Sequence, residues 1–109
     1  MANNCTDGGV TLLIAATTSA SGSWVKWPTS GRGQFQLYGT PNGAAVTLQV
    51  KAADGTTAIP VCDAINTPLS FTVAGTYTLE SLVRGQEIRA TVASAGGSTN
   101  LNAQIWAVI

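Results

Sequence analysis

From Ala45 to Ala52 the chain reads AVTLQVKA, with Val46, Leu48, Val50 and Ala52 alternating with Thr47, Gln49 and Lys51. A repeat of two residues sends successive side chains to opposite sides of an extended chain, so one side is buried and the other is wet. The same pattern sets Phe35 and Leu37 against Gln34, Gln36 and Tyr38, and Ile88, Ala90 and Val92 against Arg89 and Thr91. It sets Leu69, Phe71 and Val73 against Ser70 and Thr72. At the C-terminus Leu101, Ala103, Ile105, Ala107 and Ile109 alternate with Asn102, Gln104, Trp106 and Val108. The second side becomes apolar at its end, which predicts a final strand covered on both faces.

Turn-forming clusters separate these runs: DGG, SGS, SGRG, TPNG, ADG, NTP, AGT, VRGQ and AGGS. Gly and Asn tolerate positive φ and Pro presets its own, so each cluster supplies a reversal. TPNG and ADGT read as hairpin turns of the Asn-Gly and Asp-Gly kind. Val10–Ala16, VTLLIAA, is continuously apolar and reads as a buried strand. TLESLVRG leaves two readings, a short helix through Leu79, Leu82 and Val83 stopped at Gly85, or a strand followed by a turn. The expectation is an all-β chain: a single antiparallel β-sandwich of about seven to nine short strands, of jelly-roll or other Greek-key type. Residues 1–9 form an N-terminal arm and 10–109 the sandwich domain. An immunoglobulin sandwich with an internal disulfide fits poorly, because Cys5 precedes the first strong strand.

Charged residues are only 9% of the 109, against roughly 25% in typical soluble domains. With a formal net charge of zero, copies of the chain repel one another little, which suits contact with neighbours. The five basic residues, Lys26, Arg32, Lys51, Arg84 and Arg89, are scattered along the sequence, so no nucleic acid partner is expected. The run Val10–Ala16 is too short to span a bilayer and no basic residue precedes it. No membrane association and no signal peptide are expected. Cys5 and Cys62 permit one disulfide or two free thiols, with reduced thiols the default in a chain that is not exported.

The chain has no histidine, which removes the usual general base and the commonest metal ligand. No catalytic, metal-binding or cofactor-binding residues are expected. Asp54 and Asp63 read as turn residues, and SGRGQF lacks the lysine and helix of a phosphate cradle.

In SWVKWP, Ser23 to Pro28, an extended backbone places Val25 and Trp27 on one side and Trp24 and Lys26 on the other. Trp27 is then a core ring, and Pro28 ends the strand. Trp24 sits on the wetter side, packed under the Lys26 stem or against another subunit. Trp24 and Tyr38 are candidate subunit contacts, and a sugar platform would use the same ring chemistry, so a glycan partner stays open.

GSWVKWP, GRGQFQLYGT, GAAVTLQVKAADGTT and GQEIRATVASAGGSTNLNAQIWAV together resemble small all-β virion proteins of tailed bacteriophages. The resemblance implies a structural protein on the capsid surface, a decoration or cement protein that binds the outside of the head and stabilises the shell. Its partners would be the major capsid protein and itself, as a homotrimer or alternatively a dimer, with the N-terminal arm reaching the shell. The candidate subunit or capsid contacts are Trp24, Lys26, Arg32, Tyr38 and Trp106. The alternatives are a host-surface or glycan-binding module on the head or a fibre, and a tail or neck component.

Overall fold

The computed structural model describes residues 9–28, 31–63 and 65–107. Ten strand segments follow one another: β1 Gly9–Ala16, β2 Ala20–Ser21, β3 Val25–Lys26, β4 Gly31–Thr40, β5 Ala45–Lys51, β6 Ala58–Pro60, β7 Ser70–Phe71, β8 Gly75–Leu82, β9 Glu87–Ala93 and β10 Asn100–Ala107. They form two antiparallel sheets. The first has the order β1-β10-β4-β8 and the second β2-β9-β5-β6, with β3 also on β9 and β7 also on β5. β2 and β3 lie in succession along β9, and β6 and β7 in succession along β5, so each couple is one interrupted strand. Eight strand positions in this order make a jelly roll.

The period-two residues fill the space between the layers. Phe35, Val46, Leu48, Leu101 and Ile105 are fully buried, and Trp27 and Ile88 each retain 1% of their exposure. Val25 stands opposite Ile88, which fixes the inward side of β3 and carries Trp27 into the core behind it. A Cβ at Gly33 would lie 2.7 Å from Ile105 Cγ2, 2.8 Å from Leu82 Cδ1 and 3.1 Å from the Trp27 ring. Only glycine leaves room for that indole. On another flank Phe71 of the second sheet meets Phe35 at 4.8 Å and Tyr77 at 5.6 Å between ring centroids, joining the layers.

Two irregularities account for the ambiguous segments. Between β4 and β8 the register moves from Gly33↔Leu79 to Gly31↔Leu82, so β8 holds one residue more than its partner. This bulge turns both Leu79 and Leu82 inward, producing in a strand the three-residue spacing that also suits a helix. β1 shifts register twice against β10, after Thr11 and after Leu13, and thereby buries the adjacent Leu12 and Leu13. The expectation of a buried strand over Val10–Ala16 is thus corrected: β1 is an edge strand, and Ile14 is 79% exposed.

Three further expectations change. The Asn-Gly turn forms, with positive φ at Asn42 and Gly43 and Ala44 N–H donating to Pro41 C=O at 3.0 Å. It does not close a hairpin, because Thr40 pairs with Asn100 in one sheet and Ala45 with Ala93 in the other. The Asp-Gly turn does close one, between β5 and β6. Val73, expected inside, is 71% exposed because β7 ends at Phe71. The second side of β10, expected to be covered, is an outer surface on which Asn102, Gln104 and Trp106 are half-buried by their in-plane neighbours. Val108, Ile109, Cys5 and the arm expected over residues 1–9 lie outside the described residues except for Gly9, which begins β1.

The buried hydroxyl of Thr99 ties the ends of the layers together. Its Oγ1 donates to Pro41 C=O at 2.8 Å and accepts from Gly96 N–H at 2.8 Å.

Candidate functional site

The outward positions of the two sheets form two opposed surfaces with different chemistry, and the candidate contact residues divide between them. On the four-stranded sheet, Tyr38 stands opposite Asn102, Gln36 opposite Gln104, and Gln34 opposite Trp106. Thr76 and Thr78 extend the rows from β8, and Thr11 from β1. Trp106 Nε1 donates to Gln36 Oε1 at 3.2 Å, and Gln36 Nε2 donates to Gln34 Oε1 at 2.9 Å. The indole is therefore tethered across the strands by an amide relay. These side chains carry no formal charge. Tyr38 is 46% exposed and lies four residues along the strand from the Trp106 row, roughly 13 Å away. Arg32 is exposed at the end of the same sheet, at the irregularity between Gly31 and Gly33.

The six-stranded sheet presents the other surface. Lys26 of β3 stands opposite Glu87 of β9, whose Oε2 lies 3.1 Å from Lys51 Nζ of β5, so three charges cross three strands in one row. In the next row Arg89 stands opposite Gln49, and Arg89 Nε donates to Gln49 Oε1 at 2.8 Å. The Trp24 ring completes this row, with Arg89 Cζ 4.4 Å and Lys51 Nζ 5.1 Å from its centroid. Both distances fall within cation–π range. Beside the Trp24 ring, expected under the Lys26 stem or against another subunit, stand two cations from other strands. Beyond these lie Ser21, Thr91 and Thr47, with Ser21 and Thr91 hydroxyls 3.2 Å apart.

Basic residues scattered in the sequence are thus gathered in space: Lys26, Lys51 and Arg89 share one sheet face. Lys51, Arg89, Gln49 and Glu87 were not among the candidates. The alternation marks them as outward, but pairing of β9 with both β3 and β5 brings them to Trp24, and that pairing has no local signal.

The described carboxylates have structural partners. Asp54 accepts from Thr56 N–H and Thr57 N–H, each at 2.9 Å, and from the Thr57 hydroxyl. The Thr57 hydroxyl first, then the two backbone N–H groups, stabilise the anion and lower its pKa to about 2. Asp63 accepts from Ile65 N–H at 2.9 Å and Thr67 N–H at 3.0 Å. Both act as turn residues, as their sequence context predicts. Cys62 is half-buried in the loop after β6, with Sγ 3.7 Å from Pro60 C=O. Among the described residues no group of three or more Cys, Asp or Glu side chains is placed to hold a metal ion, and no helix is long and apolar enough to cross a membrane.

A cleft of about 210 Å³ opens at the sheet margin between β1 and β2, lined by Leu12, Leu13, Ile14, Ala16, Ala20 and Val92 among others. It is lined by no charged group, and one of its lining residues, Ser21, also stands on the outer face of the six-stranded sheet. The chain matches no family model, and no curated protein and no solved structure is significantly similar to it.

Proposed function

We propose that the chain is a non-catalytic structural protein of a tailed-bacteriophage virion, a decoration protein that binds the outside of the head and stabilises the shell. The observation that supports this reading is the opposition of two surfaces of different chemistry on one sandwich. One is neutral and amide-rich around Tyr38 and Trp106, and the other is cationic around Trp24. A module with two such faces bridges two neighbours at once. Binding the assembled lattice better than its free subunits stabilises the lattice by mass action and needs no reacting group. The amide-rich face is the one suited to contact with further copies, since no like charges meet between its Gln34–Trp106 and Tyr38–Asn102 rows. The sequence resemblance to virion proteins supplies the setting, and jelly rolls serve both capsid and lectin roles.

The test is the heat and low-salt resistance of phage particles made with and without the gene. The proposal predicts weaker particles without it, restored by added protein; unchanged particles would remove the decoration role. A second reading is favoured by the Trp106–Gln36–Gln34 relay, in which an indole and amides share a neutral surface as in sites for uncharged sugars. Saturable glycan binding that disappears in Trp106→Ala with the fold retained would select it.

A further inference from the structure

We propose that the outer face of the six-stranded sheet docks an acidic protein surface, gripped by Arg89, Lys26 and Lys51 around the Trp24 indole. The charge balance is the first argument. Among the described residues three cations share this face with a single carboxylate, Glu87, although the whole chain has a formal net charge of zero. Glu87 is committed to Lys51 at 3.1 Å, and among the described residues neither Arg89 nor Lys26 has a carboxylate partner. The excess is therefore local and positive, and it attracts an acidic partner.

The second argument is preorganisation. Arg89 is held twice, by Gln49 Oε1 on its Nε and by the Trp24 ring against its guanidinium carbon. A guanidinium fixed in this way keeps its terminal N–H groups for a carboxylate and loses little side-chain freedom when one arrives. Tryptophan and arginine are also the residue types that most often dominate binding energy when they meet at the centre of an interface. The surrounding Ser21, Thr47 and Thr91 are short, so a partner can approach the sheet closely.

The geometry favours carboxylates of a protein over a phosphate polymer. Lys26 and Lys51 flank Glu87 on adjacent strands, so the row spans two strand spacings, about 10 Å, with a negative charge in its middle. A nucleic acid backbone gains affinity from many neutralised phosphates in sequence, and this patch offers at most three cations and one repulsive carboxylate. The inference rests on the proposed function only for the identity of the partner as the shell.

The experiment measures binding of the full chain to immobilised poly-L-glutamate, to uncharged dextran and to duplex DNA at low and at raised salt. Wild type should bind polyglutamate and not dextran, and binding should weaken as salt screens the charges. Arg89→Gln should reduce affinity about tenfold or more, and the exposed Lys26→Gln should reduce it less. Tyr38→Ala, on the opposite face, should leave it unchanged. Circular dichroism of each variant separates lost binding from lost folding. Equal binding to polyglutamate and dextran, undiminished binding by both folded charge variants, or tighter binding to DNA would each overturn the proposal. The same proteins are then added to shells stripped of the chain. Shells that bind wild type and Arg89→Gln alike would sink this inference and leave the decoration role standing. Arg89-dependent polyglutamate binding by a chain that ignores shells would do the reverse.

Discussion

The guanidinium carbon of Arg89 lies 4.4 Å from the centre of the Trp24 indole, although 65 positions separate the two residues in the chain. Lys51 approaches the same ring at 5.1 Å. Each such contact at a partly exposed site contributes about 0.5–1 kcal/mol. Trp24→Ala should therefore lower unfolding stability by about 1–2 kcal/mol, and Arg89→Gln by about half of that. Urea titration checks both values, and an unchanged midpoint in Trp24→Ala would show that the ring contributes nothing to the fold.

Gly33 makes the space that Trp27 occupies. Its added methyl in Gly33→Ala would meet Ile105, Leu82 and the indole inside a close-packed core. Overpacking of this kind costs about 1–3 kcal/mol. Thermal unfolding of the variant should show a lower midpoint, whereas a stability equal to wild type would mean that the sheets separate there without strain.

Thr99 joins the turn before β5 to the turn before β10 through two hydrogen bonds at 2.8 Å. Thr99→Val keeps the shape and leaves Gly96 N–H and Pro41 C=O without that partner. A loss of about 1–3 kcal/mol is expected, with faster hydrogen exchange at Gly96. Unchanged exchange at that amide would contradict the bridging role.

Asp54 carries a signature in pH. Its folded pKa, about 2, lies below the ordinary 3.8, so its carboxylate favours the folded state above the ordinary value. That contribution disappears as pH falls through the folded value. Carbon-detected titration should give a midpoint near 2 for Asp54, and Thr57→Val should move it up towards 3.8. A wild-type midpoint already at the ordinary value would exclude the turn geometry.

The layered fold is legible in the alternation because inward side chains repeat every second residue wherever a strand is regular: Val46 and Leu48, Phe35 and Leu37, Ile88 and Ala90 are buried as their pattern predicts. Departures fall where strands are bulged or short. Leu79 and Leu82 share an inward face through an extra residue in β8, and Leu12 and Leu13 do so through the shifts in β1. The turn at Asn42 and Gly43 is also legible as a turn, but the layer each flanking strand joins depends on pairing with β10 and β9. The same limit hides the candidate site. Trp24 is visible as an outward ring, while its partners Arg89 and Lys51 reach it only through the order β3-β9-β5.

The proposed placement puts this sandwich on a phage head with its Trp24–Arg89 face turned to the shell. An electron cryomicroscopy map of particles carrying the chain checks that placement. The expected map places the jelly roll on the outer head surface, with acidic side chains of the capsid protein against Arg89 and Lys26. Density for the chain in the tail, or on the head with that face turned to solvent, would contradict it.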